Sequence, residues 1–191
     1  MRIQFLLKNT GMSERLGMMT LSSILKNKGH EVKLLLSEEL GEEEIIKRVK
    51  EYKPQILAYT IMTGEHVYHI ELNQMIRAQY NEALSVFGGP HPTYTPGMIH
   101  DEYVDAICRG EGEIYFPLLI EKLSNNEDYF TTPNFWFKKN DGSIVKNGLG
   151  DLVEDLDTLP NPDRKLMYDA DTQLAARGQK LFMSNRGCPY K

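Results

Sequence analysis

The stretch IQFLLKNTGMSERLGMMTLSSILKNKGHEVKLLL, residues 3–36, contains the pattern that decides the fold. Residues 3–7 and 32–36 are short apolar runs of the length and composition typical of buried parallel strands. The segment between them has the period of an amphipathic helix, with one apolar face formed by Met18, Leu21, Ile24 and Leu25. Gly29 follows where this helix should end. The stretch therefore predicts a strand, a helix and a second strand parallel to the first.

The same alternation continues to about residue 126. Further strand-like runs occupy residues 56–59, 84–87 and 104–107. Apolar stripes with helical spacing separate the first of these runs, at Ile45, Ile46, Val49 and Tyr52 and then at Tyr68, Leu72, Met75 and Ile76. A further helix is predicted to start near Glu113. The pattern predicts an α/β fold: a flavodoxin-like, doubly wound, five-stranded parallel sheet in the order 2-1-3-4-5, spanning residues 1–126.

The alternation of strand-like and helical patterns ends after this domain. Residues 134–139 and 143–147 are strand-like and flank Asn140-Asp141-Gly142, which is a hairpin signal. We therefore expect a β-hairpin extension over residues 127–150. Residues 151–162 are acidic and interrupted by prolines, which indicates an extended linker. Residues 180–184 are predicted to form one more strand, so that 151–191 comprises a linker and the start of a further, truncated domain.

Composition excludes several classes of function. The 191 residues are 41% hydrophobic and 26% charged, with a net charge of −5 and a mean hydropathy of −0.43. No basic stripe is present, so nucleic acid is not expected as a partner. No apolar run approaches the ~20 residues of a membrane span. No export signal is visible, which predicts a cytoplasmic protein whose two cysteines, Cys108 and Cys188, are free thiols. Cys108 lies within the fifth predicted strand and is expected to be buried and inert.

Ligands of doubly wound sheets bind at the carboxyl ends of the strands, so the loops that follow the strands carry the candidate site. These loops lack the acidic residues and the lysine of a phospho-acceptor receiver. They also lack the G-x-G-x-x-G of a dinucleotide site. The candidate residues that they do contain are Asn9, Thr10 and Gly11; Thr60, Ile61, Met62 and Thr63; Gly88, Gly89, Pro90 and His91; and Arg109, Gly110 and Glu111.

The loop after the first strand permits two interpretations. Thr10-Gly11-Met12-Ser13 has the hydroxyl-rich character of a flavodoxin phosphate loop, which would make the protein a flavin-binding electron carrier. The same residues are typical of a helix N-cap at Thr10 or Ser13, and this interpretation is favoured.

Glycine pairs mark two other loops. Gly88 and Gly89 end the fourth predicted strand, where absent side chains would let a ligand approach the backbone; a tight turn is the alternative. His91 between two prolines is expected to be an ordinary loop histidine, and surface positions are expected for His66 and His69. In Arg109-Gly110-Glu111-Gly112-Glu113, the carboxylates suit the first turn of a helix. Alternatively, the glycines open the backbone to a bulky ligand and Glu111 accepts a hydrogen bond from it.

In order and spacing, Gly88-Gly89-Pro90-His91-Pro92-Thr93, Val104-Asp105 and Arg109-Gly110-Glu111-Gly112-Glu113 resemble the cobalamin-binding domain of cobalamin-dependent radical S-adenosylmethionine (SAM) enzymes. The hairpin, the linker Asp155 to Arg164 and the closing Ser184-Asn185-Arg186-Gly187-Cys188-Pro189-Tyr190 are similar to the same family. The resemblance covers essentially the whole chain.

This resemblance implies cobalamin across the carboxyl edge of the sheet. Its nucleotide tail would lie beside the strands, at positions matched by Thr60, Ile61, Met62, Gly88 and Gly89, with Gly89 needed for ligand approach. The first loop lacks the histidine of the D-x-H-x-x-G motif that ligates cobalt in many cobalamin domains. A lower-face histidine ligand is therefore not implied.

Cys188 matches the first cysteine of the C-x-x-x-C-x-x-C motif that holds a 4Fe-4S cluster with one iron open to SAM. The other two cysteine positions would fall beyond Lys191. The resemblance thus implies an N-terminal fragment, inactive alone, whose partner is the radical SAM domain of the same parent chain. The parent enzyme would catalyse methyl transfer or cyclisation. A flavin carrier and a cofactor-free interaction module remain the alternatives.

Overall fold

A computed structural model describes residues 1–187 of the chain, which fold as alternating strands and helices followed by a hairpin and two short helices. The strands are β1 Arg2–Leu7, β2 Glu31–Leu36, β3 Ile56–Thr60, β4 Leu84–Gly88, β5 Ala106–Cys108, β6 Phe135–Lys138 and β7 Ile144–Lys146. The helices are α1 Leu16–Asn27, α2 Glu42–Tyr52, α3 His66–Arg77, α4 Pro90–Tyr94, α5 Tyr115–Ser124, α6 Arg164–Ala170 and α7 Thr172–Ala176. Short 3-10 turns occupy Pro96–His100, Tyr129–Thr131 and Leu156–Thr158.

All seven strands belong to one mostly parallel sheet with the order β2-β1-β3-β4-β5-β6-β7. The predicted α/β class is therefore confirmed, and the sheet has seven strands instead of the five predicted because two antiparallel strands extend it beyond β5. The predicted hairpin forms as β6 and β7, and β6 pairs antiparallel with β5, placing Ala106 opposite Phe137 and Cys108 opposite Phe135. The hairpin satisfies the backbone groups that β5 would otherwise expose at the sheet edge.

Alternate residues of the central strands contribute to two separate hydrophobic cores, one on each face of the sheet. On one face, Phe5, Ala58 and Val86 pack with α1 and α5. On the other face, Leu57 and Phe87 pack with α2 and α3. Burial on both faces explains why these strands appear in the sequence as continuous apolar runs rather than as alternating patterns.

The region after residue 151 is more structured than the predicted linker. Helices α6 and α7 bury Leu166, Met167 and Leu174, and α6 packs on α1 and β2. Asp163 caps α6 and also joins it to α1, because its carboxylate accepts hydrogen bonds from Lys26 Nζ at 2.6 Å and Ser22 Oγ at 2.7 Å. The prediction of an extended linker missed these helices because α6 and α7 are too short to show a clear helical period.

The strand predicted over residues 180–184 does not form. The backbone groups of Leu181 are bound by side chains instead: its N–H donates to Glu14 Oε2 at 2.7 Å, and its carbonyl accepts from Arg164 at 2.5 Å. A strand would need those groups for a ladder. Cys188 lies outside the described residues. Of the helices in residues 1–187, none is long and apolar enough to cross a bilayer.

Candidate functional site

Small residues near the carboxyl ends of three neighbouring strands leave a cavity on the α1 and α5 face of the sheet. Ala58 in β3, Gly88 in β4 and Cys108 in β5 all line it. Their side chains are too small to fill the space up to the helices. The result is a cavity of about 370 Å³ with a mainly apolar wall that also contains Phe5, Leu16, Met18, Leu21, Val86 and Phe116.

Sequence reasoning did not identify the helical half of this wall as part of a site. Leu16, Met18 and Leu21 of α1 and Phe116 of α5 face the cavity. The signal was present in the apolar face of α1, which included Met18 and Leu21. That pattern indicates a buried face but does not distinguish packing against the sheet from lining a cavity.

The turn from β4 into α4 is built on close backbone contacts. Ile61 N donates to the Gly88 carbonyl at 2.9 Å, and His91 N donates to the Ile61 carbonyl at 3.1 Å. Gly89 has φ +97°, and a Cβ there would lie 2.9 Å from Ile61 O and 3.0 Å from Ile61 N. Gly89 is therefore required by its own φ and by its neighbour's backbone, which corrects the expectation that it is glycine mainly for ligand approach.

Gly88, rather than Gly89, fits the predicted role of a glycine whose missing side chain leaves room for a ligand. It lines the cavity, and a Cβ there would make only ordinary contacts, 3.8 Å from Cys108 Cβ and 3.9 Å from Tyr59 O. Its backbone conformation is not left-handed. The fold therefore tolerates a side chain at Gly88, and that side chain would occupy the cavity.

Histidines next to this turn are buried, contrary to the sequence expectation. His91 is 4% exposed and stacks on His66 with ring centroids 4.1 Å apart, while its Nδ1 lies 3.4 Å from Thr63 Oγ1. Burial, with a smaller contribution from His66, lowers the pKa of His91. His69 is 1% exposed, and burial lowers its pKa as well. His91 is thus a packed helical residue rather than a loop histidine.

The loop after β1 does not form a helix cap. Helix α1 begins only at Leu16, and no side chain caps it, so the capping prediction for Thr10 and Ser13 is wrong. Thr10 is 3% exposed and donates its hydroxyl proton to Asp171 Oδ2 at 2.6 Å. That hydrogen bond, with others from backbone N–H groups, lowers the pKa of Asp171. A hydroxyl committed to a carboxylate is poorly suited to bind a phosphate. Asn9 is likewise bonded to a carboxylate, that of Glu38, at 2.6 Å.

The loop after β5 is tied to the C-terminal part of the chain. Glu111 accepts from Val153 N at 2.8 Å and pairs with Arg186 at 3.0 Å, and Arg186 also reaches Glu113 at 2.5 Å. Helix α5 begins at Tyr115. Neither carboxylate therefore lies in its first turn, contrary to that interpretation of the sequence. Arg109 stacks over Trp136 at 4.8 Å instead of facing the cavity.

The predicted site residues thus divide into two groups. Those that line the cavity are Thr60, Gly88, Gly89, Gly110 and Glu111. Those outside its wall are Asn9, Thr10, Gly11, Ile61, Met62, Thr63, Pro90, His91 and Arg109. Cys108 is buried as predicted; burial, with a smaller contribution from Glu113, raises the pKa of its thiol to about 12, which keeps it protonated. Within residues 1–187, no cluster of three or more His, Cys, Asp or Glu side chains could hold a metal.

The fold and this edge cavity define an α/β ligand-binding domain, and a family model described as "B12 binding domain" matches residues 7–120. Because that match spans more than half of the chain, the chain belongs to the B12-binding domain family. It is 31% identical over 184 residues to an uncharacterised methyltransferase of Pyrococcus horikoshii, covering 92% of this chain and 39% of that protein. It is 30% identical over 145 residues to the cobalamin-dependent radical SAM methyltransferase TokK of Streptomyces tokunonensis, covering 72% of this chain and 21% of that protein.

A solved structure has the same fold. The cobalamin-dependent SAM radical enzyme OxsB, with aqua-cobalamin and SAM bound, superposes with a TM-score of 0.74 at 19% identity, over 91% of this chain and 25% of that chain. The chain thus spans less than half the length of these relatives. It is a cobalamin-binding domain related to cobalamin-dependent radical SAM enzymes.

Proposed function

We propose that the chain binds cobalamin across the carboxyl edge of its sheet, with the nucleotide tail in the cavity between the sheet and helices α1 and α5. The cavity carries this proposal. Its volume of about 370 Å³ falls in the range of small-molecule pockets and is far smaller than a whole corrinoid. Only one arm of the cofactor would therefore enter it, while the corrin ring would lie outside on the loops.

The residues present fit such an arm. The apolar wall with Phe5, Leu16 and Phe116 suits a neutral aromatic base, since burial of apolar surface stabilises binding by about 25 cal/mol per Å². Gly88 leaves space that a Cβ would fill. Thr60, beside it on β3, offers a hydroxyl at the mouth of the cavity. These residues would bind the tail, orient it and exclude water.

Of the predicted site residues outside the cavity wall, Met62, Thr63 and Gly11 belong to this proposal as contacts of the ring side of the edge. Met62 and Thr63 are exposed on the loop after β3, and Gly11 is exposed on the loop after β1. When bound, cobalamin supplies a cobalt centre that can carry a methyl group. In the parent enzyme we propose a 4Fe-4S cluster that includes Cys188, SAM as the radical source, and methyl transfer or cyclisation as the outcome.

The flavin alternative has less support. A flavin phosphate at Thr10 would meet the Asp171 carboxylate, which already accepts the hydroxyl proton of Thr10. A cofactor-free interaction module would need no cavity at the ligand edge, so the apolar cavity also disfavours that alternative.

Titration of the chain with hydroxocobalamin, cobinamide and flavin mononucleotide tests the proposal. The sole tryptophan, Trp136, gives the readout, because an absorbing cofactor bound nearby quenches its fluorescence. We expect hydroxocobalamin to bind and cobinamide, which lacks the nucleotide tail, to bind at least tenfold more weakly, a difference of ~1.4 kcal/mol. Equal affinities would contradict the placement of the tail, and no binding of hydroxocobalamin would contradict the function itself.

A further inference from the structure

Arg186 joins the C-terminal segment to the loop after β5 through two carboxylates. Its guanidinium lies 3.0 Å from Glu111 Oε1 and 2.5 Å from Glu113 Oε1. The Glu113 side chain is only 6% exposed, and those of Glu111 and Arg186 are 20% and 22% exposed. A shared, partly buried pairing of this kind is more specific in geometry than the exposed ion pairs that contribute little to stability.

This pairing lies at the mouth of the cavity. Met183 and Arg186 both line the cavity, and so do Gly110 and Glu111 of the loop after β5. The segment 181–186 is held at its other end by Leu181, whose N–H donates to Glu14 Oε2 at 2.7 Å. It therefore has one anchor at each end and contributes Met183 and Arg186 to the cavity wall, and we call it the strap.

The strap forms part of the cavity wall without filling the cavity. A volume of about 370 Å³ remains while both anchors are formed. A segment that blocked the site would instead place a side chain in that volume. The strap also has no regular secondary structure, and Phe182, next to the Leu181 anchor, is 85% exposed. Besides the Glu14 contact, Arg164 donates to the Leu181 carbonyl at 2.5 Å and lies over the Phe182 ring at 5.0 Å, so these contacts gather at the Leu181 end. Among the contacts of the described residues, the pairing of Arg186 with Glu111 and Glu113 is what holds the other end.

Resting on the proposed function, we propose that the strap closes over the bound nucleotide tail and that Arg186 is the positioning residue that keeps it closed. One guanidinium between two carboxylates leaves a formal negative charge at the mouth, so this rim does not attract the phosphate of the tail. The group under the strap is the neutral aromatic base. Met183 and the aliphatic stem of Arg186 supply its outer apolar wall.

Arg186→Gln tests the proposal, with Lys165→Gln as the matched control. The ammonium of Lys165 is also paired with a carboxylate, that of Asp169 at 2.6 Å, but its side chain is 79% exposed and does not line the cavity. Hydrogen exchange of residues 181–187 in the cofactor-free chain measures strap opening. The rate of hydroxocobalamin dissociation, followed by Trp136 fluorescence after dilution, measures retention of the cofactor.

We expect Arg186→Gln to speed exchange in the strap and to raise the dissociation rate at least tenfold, because changes at a contact surface act mainly on dissociation. Glu113→Gln should act in the same direction, and Lys165→Gln should leave both rates unchanged. A more open strap with an unaltered dissociation rate, or with tighter cobalamin binding, would overturn the proposal. If hydroxocobalamin does not bind to the unmodified chain, the proposed function fails, whereas the exchange result still reports whether Arg186 holds the strap in place.

Discussion

Gly89 lies against the backbone of Ile61 so closely that a Cβ on Gly89 would be 2.9 Å from the Ile61 carbonyl oxygen. Its φ of +97° and ψ of −169° belong to a region that only glycine occupies readily. We therefore predict that Gly89→Ala lowers the free energy of unfolding by about 1–3 kcal/mol, the usual cost of such a conformation. Thermal unfolding without cofactor measures this. A melting temperature equal to that of the unmodified chain would contradict it.

Gly88→Val should separate binding from folding. The valine would stand in an extended strand that it favours, and its methyl groups would enter the cavity. We expect the melting temperature to stay within about 4 °C, the shift that ~1 kcal/mol gives in a chain of this size. Cobalamin affinity should fall at least tenfold, or ~1.4 kcal/mol.

Gly148→Val is the control for that substitution. Gly148 is exposed, does not have a positive φ, and has no heavy atom within 4 Å of a built Cβ in the described part of the chain. The Gly148→Val variant should have the melting temperature and the cobalamin affinity of the unmodified chain. If the folded Gly88→Val variant bound cobalamin as tightly as the unmodified chain, the proposal that the nucleotide tail lies in this cavity would be contradicted.

Cobalt should not acquire a histidine ligand from this chain. His91 is the histidine of the candidate loops, but it is 4% exposed and stacked on His66, so it could reach a ligand only if α4 were displaced. Electron paramagnetic resonance of the bound, reduced cobalt(II) form should therefore lack the nitrogen splitting of an imidazole. A nitrogen triplet that disappears in His91→Ala would show that the helix does open.

Glu14 should make stability depend on pH. Burial alone would raise the pKa of Glu14, but hydrogen bonds from the Tyr168 hydroxyl and Leu181 N–H, with the Arg164 charge, lower it instead. A carboxylate with a depressed folded pKa contributes stability above its unfolded pKa, about 4.3, and loses it as the pH falls through the lower folded value.

Comparison of Glu14→Gln with the unmodified chain by urea unfolding measures that contribution. At pH 7 the variant should be less stable by about 1.5–3 kcal/mol, the range for hydrogen bonds to a charged group. The difference should narrow as the pH falls from about 4.3 through the lowered pKa of the native carboxylate. A gap that stays constant with pH would show that Glu14 is not the titrating group.

Local patterns in the sequence predicted most of the fold. The strand runs, the apolar helical stripes and Asn140-Asp141-Gly142 each lie within a few positions of the residues that they organise, so period and turn chemistry sufficed. The exceptions were α6 and α7, which are too short for a period, and residues 180–184, whose apolar run has no strand partner in the described structure. The addition of β6 to the sheet depended on which edge was free, which no local pattern records.

The sequence by itself determined that ligand chemistry would concentrate at the carboxyl edge of a parallel sheet, because strand direction follows from the strand–helix alternation. Only the tertiary structure decided where at that edge a ligand could enter. The cavity exists because Ala58, Gly88 and Cys108, small residues of three adjacent strands, all line the same space between the sheet and the helices. Arg186 meets Glu113 across 73 positions of the chain, and Thr10 meets Asp171 across 161. Such pairs arise from the surfaces that folding buries together, and they leave no period or motif in the sequence between them.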